Sequence, residues 1–238
     1  ICLVLGNEQE REEYRKFFET RLPDEHFNKL KTEDQNYERH ILSIGKRLRY
    51  VYQTEKKGFG HAVSLASSFA AGEPVLLLLG DTLYRSHTGK PCTLQLIEEY
   101  ERYNKAMVSI HSIPLKDVSY YGIMAGHWEN REETVMSIDN FCEKPKVSFA
   151  EDNLAVKMQN GDKRYYSVFG QYILTPEVFE QLKKNIHDGV VSERGEVELT
   201  TALEQVRQKD GLVGVQRDGD MFDMGIPEEL RKTSYDFS

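Results

Sequence analysis

The chain has 238 residues, 39% of them hydrophobic and 29% charged, an ordinary globular composition that excludes disordered, collagen-like and low-complexity chains. A net charge of -8 without any basic stripe argues against nucleic acid as a partner. The longest apolar run, Val75 to Leu79, is far short of the roughly 20 residues that cross a bilayer, so no membrane-spanning role is expected. Three scattered cysteines, Cys2, Cys92 and Cys142, have no CxxC spacing; they point to reduced thiols and a cytoplasmic setting. No secretory signal is legible at the start.

Taken in chain order, strands and helices alternate. Ile1 to Leu5 reads as an apolar strand, Gly6-Asn7 as a turn, and Glu8 to Leu22 as a helix with Tyr14, Phe17, Phe18 and Leu22 at helical spacing, stopped by Pro23. Residues 24 to 47 are polar and ambiguous. Leu48 to Gln53 is a strand, His61 to Phe69 a helix, and Val75 to Leu79 a second continuous apolar strand. Thr93 to Tyr103 is a helix and Ala106 to Ile113 a strand. Tyr121 to Ala125 and Val135 to Cys142 read as a strand pair, and Tyr165 to Leu174 as a further strand. Thr175-Pro176 opens a helix through Phe179, Leu182 and Ile186. Glu198 to Gln208 is another helix, Leu212 to Gln216 a strand, Asp218-Gly219 a hairpin turn, and Pro227-Glu228-Glu229 the start of a last short helix.

Apolar strands alternating with amphipathic helices predict an α/β fold with a mostly parallel central sheet flanked by helices, plus a small additional β region. No repeat and no Pro- or Ser-rich linker divides the chain, so residues 1–238 read as one domain.

The Gly6 turn is followed by Glu8, Glu10, Glu12 and Glu13. These suit the helix dipole but repel phosphate, so the turn is read as structural. No GxxxxGK[ST] loop occurs, which excludes P-loop enzymes. In QTEKKGFGHAV, between a strand end and a helix start, Gly58 and Gly60 let a backbone approach a flat ligand or make a tight turn. Asp81 follows the strand LLLLG, where α/β sheets bind ligands and where a carboxylate can hold Mg2+ against a phosphate; a turn aspartate is the structural alternative. Pro145 biases Lys144 towards extended backbone. Glu143 and Lys144 would then face opposite ways, one towards a sugar hydroxyl and one towards a phosphate; a solvated pair is the alternative. Asp223, between apolar neighbours, is a partly enclosed acid in need of a partner or a metal. Asp218-Gly219-Asp220 matches a DxD pattern formally but reads as the hairpin turn. No histidine has ligand spacing.

In this order the segments resemble the sugar-1-phosphate nucleotidyltransferase family. The markers are Gln53 with Gly58 to Val63, Leu79-Gly80-Asp81, Tyr121-Gly122-Ile123, Glu143 to Lys146, Phe169 to Leu174, Gly195 to Ala202, and Phe222 to Gly225. The GFGHAV and GEVELTTA wordings favour the UDP-glucose branch. The resemblance implies a Rossmann-like nucleotidyltransferase fold and a Mg2+-dependent reaction of UTP with glucose 1-phosphate, giving UDP-glucose and pyrophosphate. It assigns Gln53, Gly58 and Gly60 to the nucleotide, Gly122, Glu143 and Lys144 to the sugar phosphate, and Asp81 and Asp223 to Mg2+. Asp81 and Lys144 carry the catalytic role, and a homo-oligomer is implied. Tyr120, Tyr121 and Tyr172 shape the sugar pocket or pack in the core. The family's opening GxGTRxxP…PK loop has no counterpart here. The chain is therefore expected to lack a first strand–loop–helix unit, and these residues alone to be weakly active or inactive. A non-catalytic nucleotide- or sugar-binding module and a metal-dependent glycosyltransferase using Asp218 and Asp220 are the alternatives.

Overall fold

The computed structural model describes residues 1–225, 230, 231 and 233. The opening expected at Pro227-Glu228-Glu229 lies outside the described residues, while Leu230, Arg231 and Thr233 are helical. The elements are β1 (Cys2–Leu5), α1 (Glu8–Phe18), α2 (Asp24–Phe27), α3 (Thr32–Gly45), β2 (Arg49–Tyr52), α4 (Phe59–Ser64), α5 (Ser67–Ala70), β3 (Val75–Leu78) and β4 (Thr82–Ser86). Then follow α6 (Cys92–Tyr103), β5 (Met107–Ile113), β6 (Gly122–Trp128), β7 (Val135–Glu143), α7 (Val147–Asn153), β8 (Val156–Lys157) and β9 (Lys163–Leu174). The chain continues with α8 (Pro176–His187), α9 (Leu199–Asp210), β10 (Val213–Gln216) and β11 (Gly219–Asp223).

The α/β class stands, but the main sheet is mixed rather than mostly parallel. Its order is β3-β9-β5-β10-β7-β6, and β6 also pairs back onto β9. Only β5–β10 runs parallel within it; β9 runs antiparallel to β3, β5, β6 and β8. The reason is β9 itself. Its 12 residues, KRYYSVFGQYIL, are long enough to insert between β3 and β5 at one end and reach β6 and β8 at the other. Its buried positions, with Tyr166, Phe169 and Leu174 fully enclosed, make it the centre of the core. The parallel pair β1–β2 forms a sheet of its own.

Several local expectations shift. Helix α1 stops at Phe18 rather than Leu22, because the Leu22 N–H donates to Glu38 Oε1 of α3 at 2.7 Å and so leaves the helical path. At its start the Asn7 side chain accepts from Glu10 N at 3.0 Å, and Glu10 Oε2 accepts from Gly6 N at 2.8 Å. The Gly6 and Glu10 N–H groups are thus met from within the turn. The helix expected over His61–Phe69 breaks into α4 and α5, and Phe69 is exposed. Thr175 holds the N-cap position of α8, with Pro176 as the first helical residue, but makes no side-chain cap bond. Strand β3 is not buried on both faces: Leu78 is 46% exposed, and among the described residues β3 is an edge strand paired with β9.

The Asp218-Gly219 hairpin is also corrected. Strand β10 does not fold back on β11. Instead β11 pairs antiparallel with β4, in register Asp223↔Thr82 through Gly219↔Ser86. This ribbon carries the site described below.

Beside the ribbon, His111 of β5 packs edge-on against Phe169, ring centroids 5.1 Å apart. Its Nε2 has no hydrogen-bond partner among the described residues, and burial lowers its pKa to about 4. The unfolded chain takes up that proton near pH 6.5 and the folded one does not. Stability therefore falls as pH drops from about 6.5 to 4, by up to about 3 kcal/mol. Urea unfolding of wild type and His111→Phe should diverge across that interval and run parallel above it. Curves parallel throughout would contradict a neutral buried imidazole.

Candidate active site

Asp81 follows β3, and Asp223 ends β11. The β4–β11 pairing joins them: Asp223 sits opposite Thr82, and Met224 N donates to Asp81 O at 2.7 Å. The carboxylates converge beside Gly225. One point there, where a Cβ would stand, is 3.1 Å from Asp223 Oδ1 and 3.2 Å from Asp81 Oδ2. Two carboxylates aimed at one place repel unless a cation lies between them. Hard oxygen donors suit Mg2+, which is commonly held by one or two protein carboxylates with water and substrate phosphates completing the shell. Among the described residues no third acid, His or Cys joins them in a group that could hold a metal. The donor set therefore fits Mg2+ of that kind and not an all-protein cage.

The two aspartates line a cleft of about 790 Å³ together with Tyr121, Gly122, Glu143, Lys144, Tyr172 and the segment from Ser192 to Thr200. Glu143 ends β7, opposite Gly122 of β6. A Cβ at Gly122 would lie 3.0 Å from Glu143 Oε2, so glycine makes room for the carboxylate. Thr200 Oγ1 donates to the same oxygen at 3.0 Å. The Tyr172 hydroxyl is pushed up by burial, and by Glu143 and Tyr84 beside it. Tyr172 is almost wholly buried at the wall of the cleft.

Lys144 departs from expectation. Its φ is +45°, left-handed despite Pro145, and its N–H donates to Tyr121 O at 3.0 Å. That bond holds a conformation that costs of order 1–3 kcal/mol in a non-glycine residue. The two side chains do not diverge: Lys144 Nζ lies 3.8 Å from Glu143 Oε1. An exposed pair of this kind is worth about 0–1 kcal/mol, so both groups stay available to a ligand.

The glycines of the GFGH turn are explained by protein, not by ligand. Gly58 has φ +99°, and a Cβ there would meet Val197 O at 2.7 Å and Glu196 Cβ at 2.8 Å. Gly60 is as close to the segment Val197–Leu199, its Cβ position lying 2.7 Å from Glu198 C, and its N–H donates to Val197 O at 2.9 Å. Val197 N returns a bond to Lys57 O at 2.7 Å. Gln53, just past β2, donates from Nε2 to Gly58 O at 2.9 Å and lies 3.0 Å from His61 Nδ1. One segment, residues 196–200, thus touches the Gln53 turn at one end and Glu143 at the other. Sequence reading assigned no role to Thr200 or His61; a small polar residue in GEVELTTA and the histidine of GFGHAV were the visible signals.

The DxD pair is committed elsewhere. His87 Nδ1 is 3.2 Å from Asp218 Oδ1, and its Nε2 is 2.9 Å from Asp220 Oδ2, which also pairs with Arg85 at 2.8 Å. These contacts, His87 first, hold the Asp220 carboxyl below its usual range. Asp220 Oδ2 is already engaged by Arg85 and His87, which disfavours the glycosyltransferase alternative.

A family model described as nucleotidyl transferase matches residues 22–237. The chain belongs to this family. Among nucleotidyl transferases it is similar to UTP–glucose-1-phosphate uridylyltransferase 1 of Streptococcus pyogenes serotype M3, with 30% identity over 193 residues, 80% of this chain and 58% of the relative. The Streptococcus pneumoniae serotype 4 uridylyltransferase is 31% identical over 194 residues, 81% of this chain and 59% of its own. The chain thus spans less than two thirds of the length of these relatives. The solved apo UDP-glucose pyrophosphorylase matches with a TM-score of 0.80 at 28% identity, over 99% of this chain and 80% of its own. The UDP-glucose pyrophosphorylase complexed with UDP-glucose matches with 0.78 at 28% identity, over 99% and 79%. Among the described residues no helix is long and apolar enough to cross a membrane.

Proposed function

We propose that the complete protein joins UTP and glucose 1-phosphate, giving UDP-glucose and pyrophosphate. The observation that carries this reading is the convergence of Asp81 and Asp223 at the rim of a cleft that also holds Glu143 and Lys144. The names of the relatives above support the choice of UTP and glucose 1-phosphate.

A sugar 1-phosphate oxygen attacks the α-phosphorus of UTP, the bond from that phosphorus to the bridging oxygen breaks, and pyrophosphate leaves. No protein nucleophile is needed; the work is alignment and charge neutralisation. Gln53 meets the base, with Gly58 and Gly60 shaping its turn. Gly122 offers backbone to the sugar, and Glu143 accepts from sugar hydroxyls, held in place by Thr200. Lys144 neutralises the sugar phosphate. Asp81 and Asp223 would hold Mg2+, which would supply charge neutralisation at the phosphates. Three free cysteines support a cytoplasmic setting.

We also propose that residues 1–238 form a single catalytic domain completed by one more strand–loop–helix unit. Among the described residues β1 pairs only with β2 and β3 only with β9, so each keeps an open edge for a further strand, and Val4 and Leu78 lie exposed there. The test is pyrophosphate release from UTP, glucose 1-phosphate and Mg2+ by the full-length protein, beside calorimetry of UDP-glucose on the 238 residues. Release by the full-length protein is expected, with little or none from the shorter chain. UDP-glucose binding with no release by the full-length protein would instead make this a non-catalytic binding module.

A further inference from the structure

The amide of Gln53 is held in one orientation. Gly58 O is a carbonyl and can only accept, so the Gln53 atom 2.9 Å from it is the amide nitrogen Nε2. The same nitrogen lies 3.0 Å from His61 Nδ1. An amide nitrogen has two hydrogens and no lone pair to offer. One hydrogen goes to Gly58 O, and the other needs a lone pair on Nδ1. The ring proton of His61 must then sit on Nε2. Both N–H groups of Gln53 are consumed inside the turn, and Oε1 is the group it has left to present. The Gln53 backbone is fixed as well, since its N–H donates to Leu5 O at 2.8 Å.

We propose that His61 is a specificity-determining positioning residue: by accepting from Gln53 Nε2 it aims Gln53 Oε1 at the nucleobase and so selects a base with an imide N–H. This rests on the nucleotide reading above, in which Gln53 meets the base. Uracil and thymine carry a donor at ring position 3, which Oε1 accepts. Cytosine carries a lone pair there, so two acceptors would face each other. A site built around one hydrogen bond rejects the ligand that leaves it unpaired more strongly than shape alone can. Without His61 one of the two bonds that hold Nε2 in the turn is lost and only the bond to Gly58 O remains, so a flip that lets Nε2 serve cytosine costs one hydrogen bond fewer. His61 sits within α4 and acts only through Gln53.

The test is calorimetric binding of UTP and CTP to the full-length protein, with His61→Leu and His61→Gln beside the wild type. The wild type should prefer UTP. His61→Leu should lower the UTP-to-CTP affinity ratio by about tenfold or more, the usual worth of one buried polar group left unpaired. His61→Gln carries a side-chain acceptor and should restore the ratio at least in part. A merely structural role would weaken both nucleotides alike, and an unchanged ratio in His61→Leu overturns the assignment. Nitrogen-15 NMR of the wild type gives an answer that needs no variant to fold. The Nε2–H tautomer of His61 is required, and a proton on Nδ1 refutes the proposal. Failure of the wild type to bind either nucleotide would overturn the nucleotide reading itself, whereas binding of both with a ratio indifferent to His61 overturns this inference alone.

Discussion

Replacing either Asp81 or Asp223 by Asn is expected to lower pyrophosphate release by about a hundredfold or more, the range seen when one preorganised electrostatic element of a transition state is removed. The change keeps the shape and removes one charge from a pair of oxygens that converge within 3.2 Å of a single point. Folding should not suffer. Asp81 is exposed and Asp223 half-buried, and removing one of two facing carboxylates relieves repulsion where no cation lies between them. The thermal midpoint of each variant in chelator should match or exceed that of the wild type. Added Mg2+ should raise the wild-type midpoint, as any ligand selective for the folded state does, and leave the variants unmoved. Full activity in both variants would remove the metal assignment and with it the proposed chemistry.

A single methyl group at Gly60 should be among the most damaging small substitutions near the site. Its Cβ would stand 2.7 Å from Glu198 C, 2.8 Å from Leu199 N and 2.9 Å from Val197 O. All three are backbone atoms, so no side chain can rotate aside; either α4 or the 197–199 segment must move. Overpacking of this kind costs about 1–3 kcal/mol, or a fall of several degrees in the thermal midpoint of a chain this size. Gly89→Ala, with nothing within 4 Å of the added carbon, should stay within about 0.5 kcal/mol of wild type. Because residues 196–200 join the Gln53 turn to Glu143 through Thr200, Gly60→Ala should raise the KM for UTP and for the sugar phosphate together. A rise confined to one substrate would show that the two ends of the segment are not coupled.

The sequence by itself determined the alternation of strands and helices, because hydrophobic periodicity and Pro or Gly punctuation act over about a dozen residues. It also marked Asp81 at a strand end and Asp223 among apolar neighbours, and it brought out the segments that line the cleft. The tertiary structure decided what those residues touch. Asp218-Gly219 has the chemistry of a hairpin, yet β11 pairs with β4, more than 130 positions away. Pairing partners are chosen by which union buries the most surface, and no local pattern states that. The same competition set β9 antiparallel between β3 and β5 and made the sheet mixed. It turned Lys144 left-handed to meet Tyr121 O, against the local pull of Pro145. It also made the GFGH glycines answer to residues 196–199 instead of to a ligand. Local preference is worth a fraction of a kcal/mol per residue, while packing of whole elements is worth several. Where the two disagreed in this chain, packing prevailed.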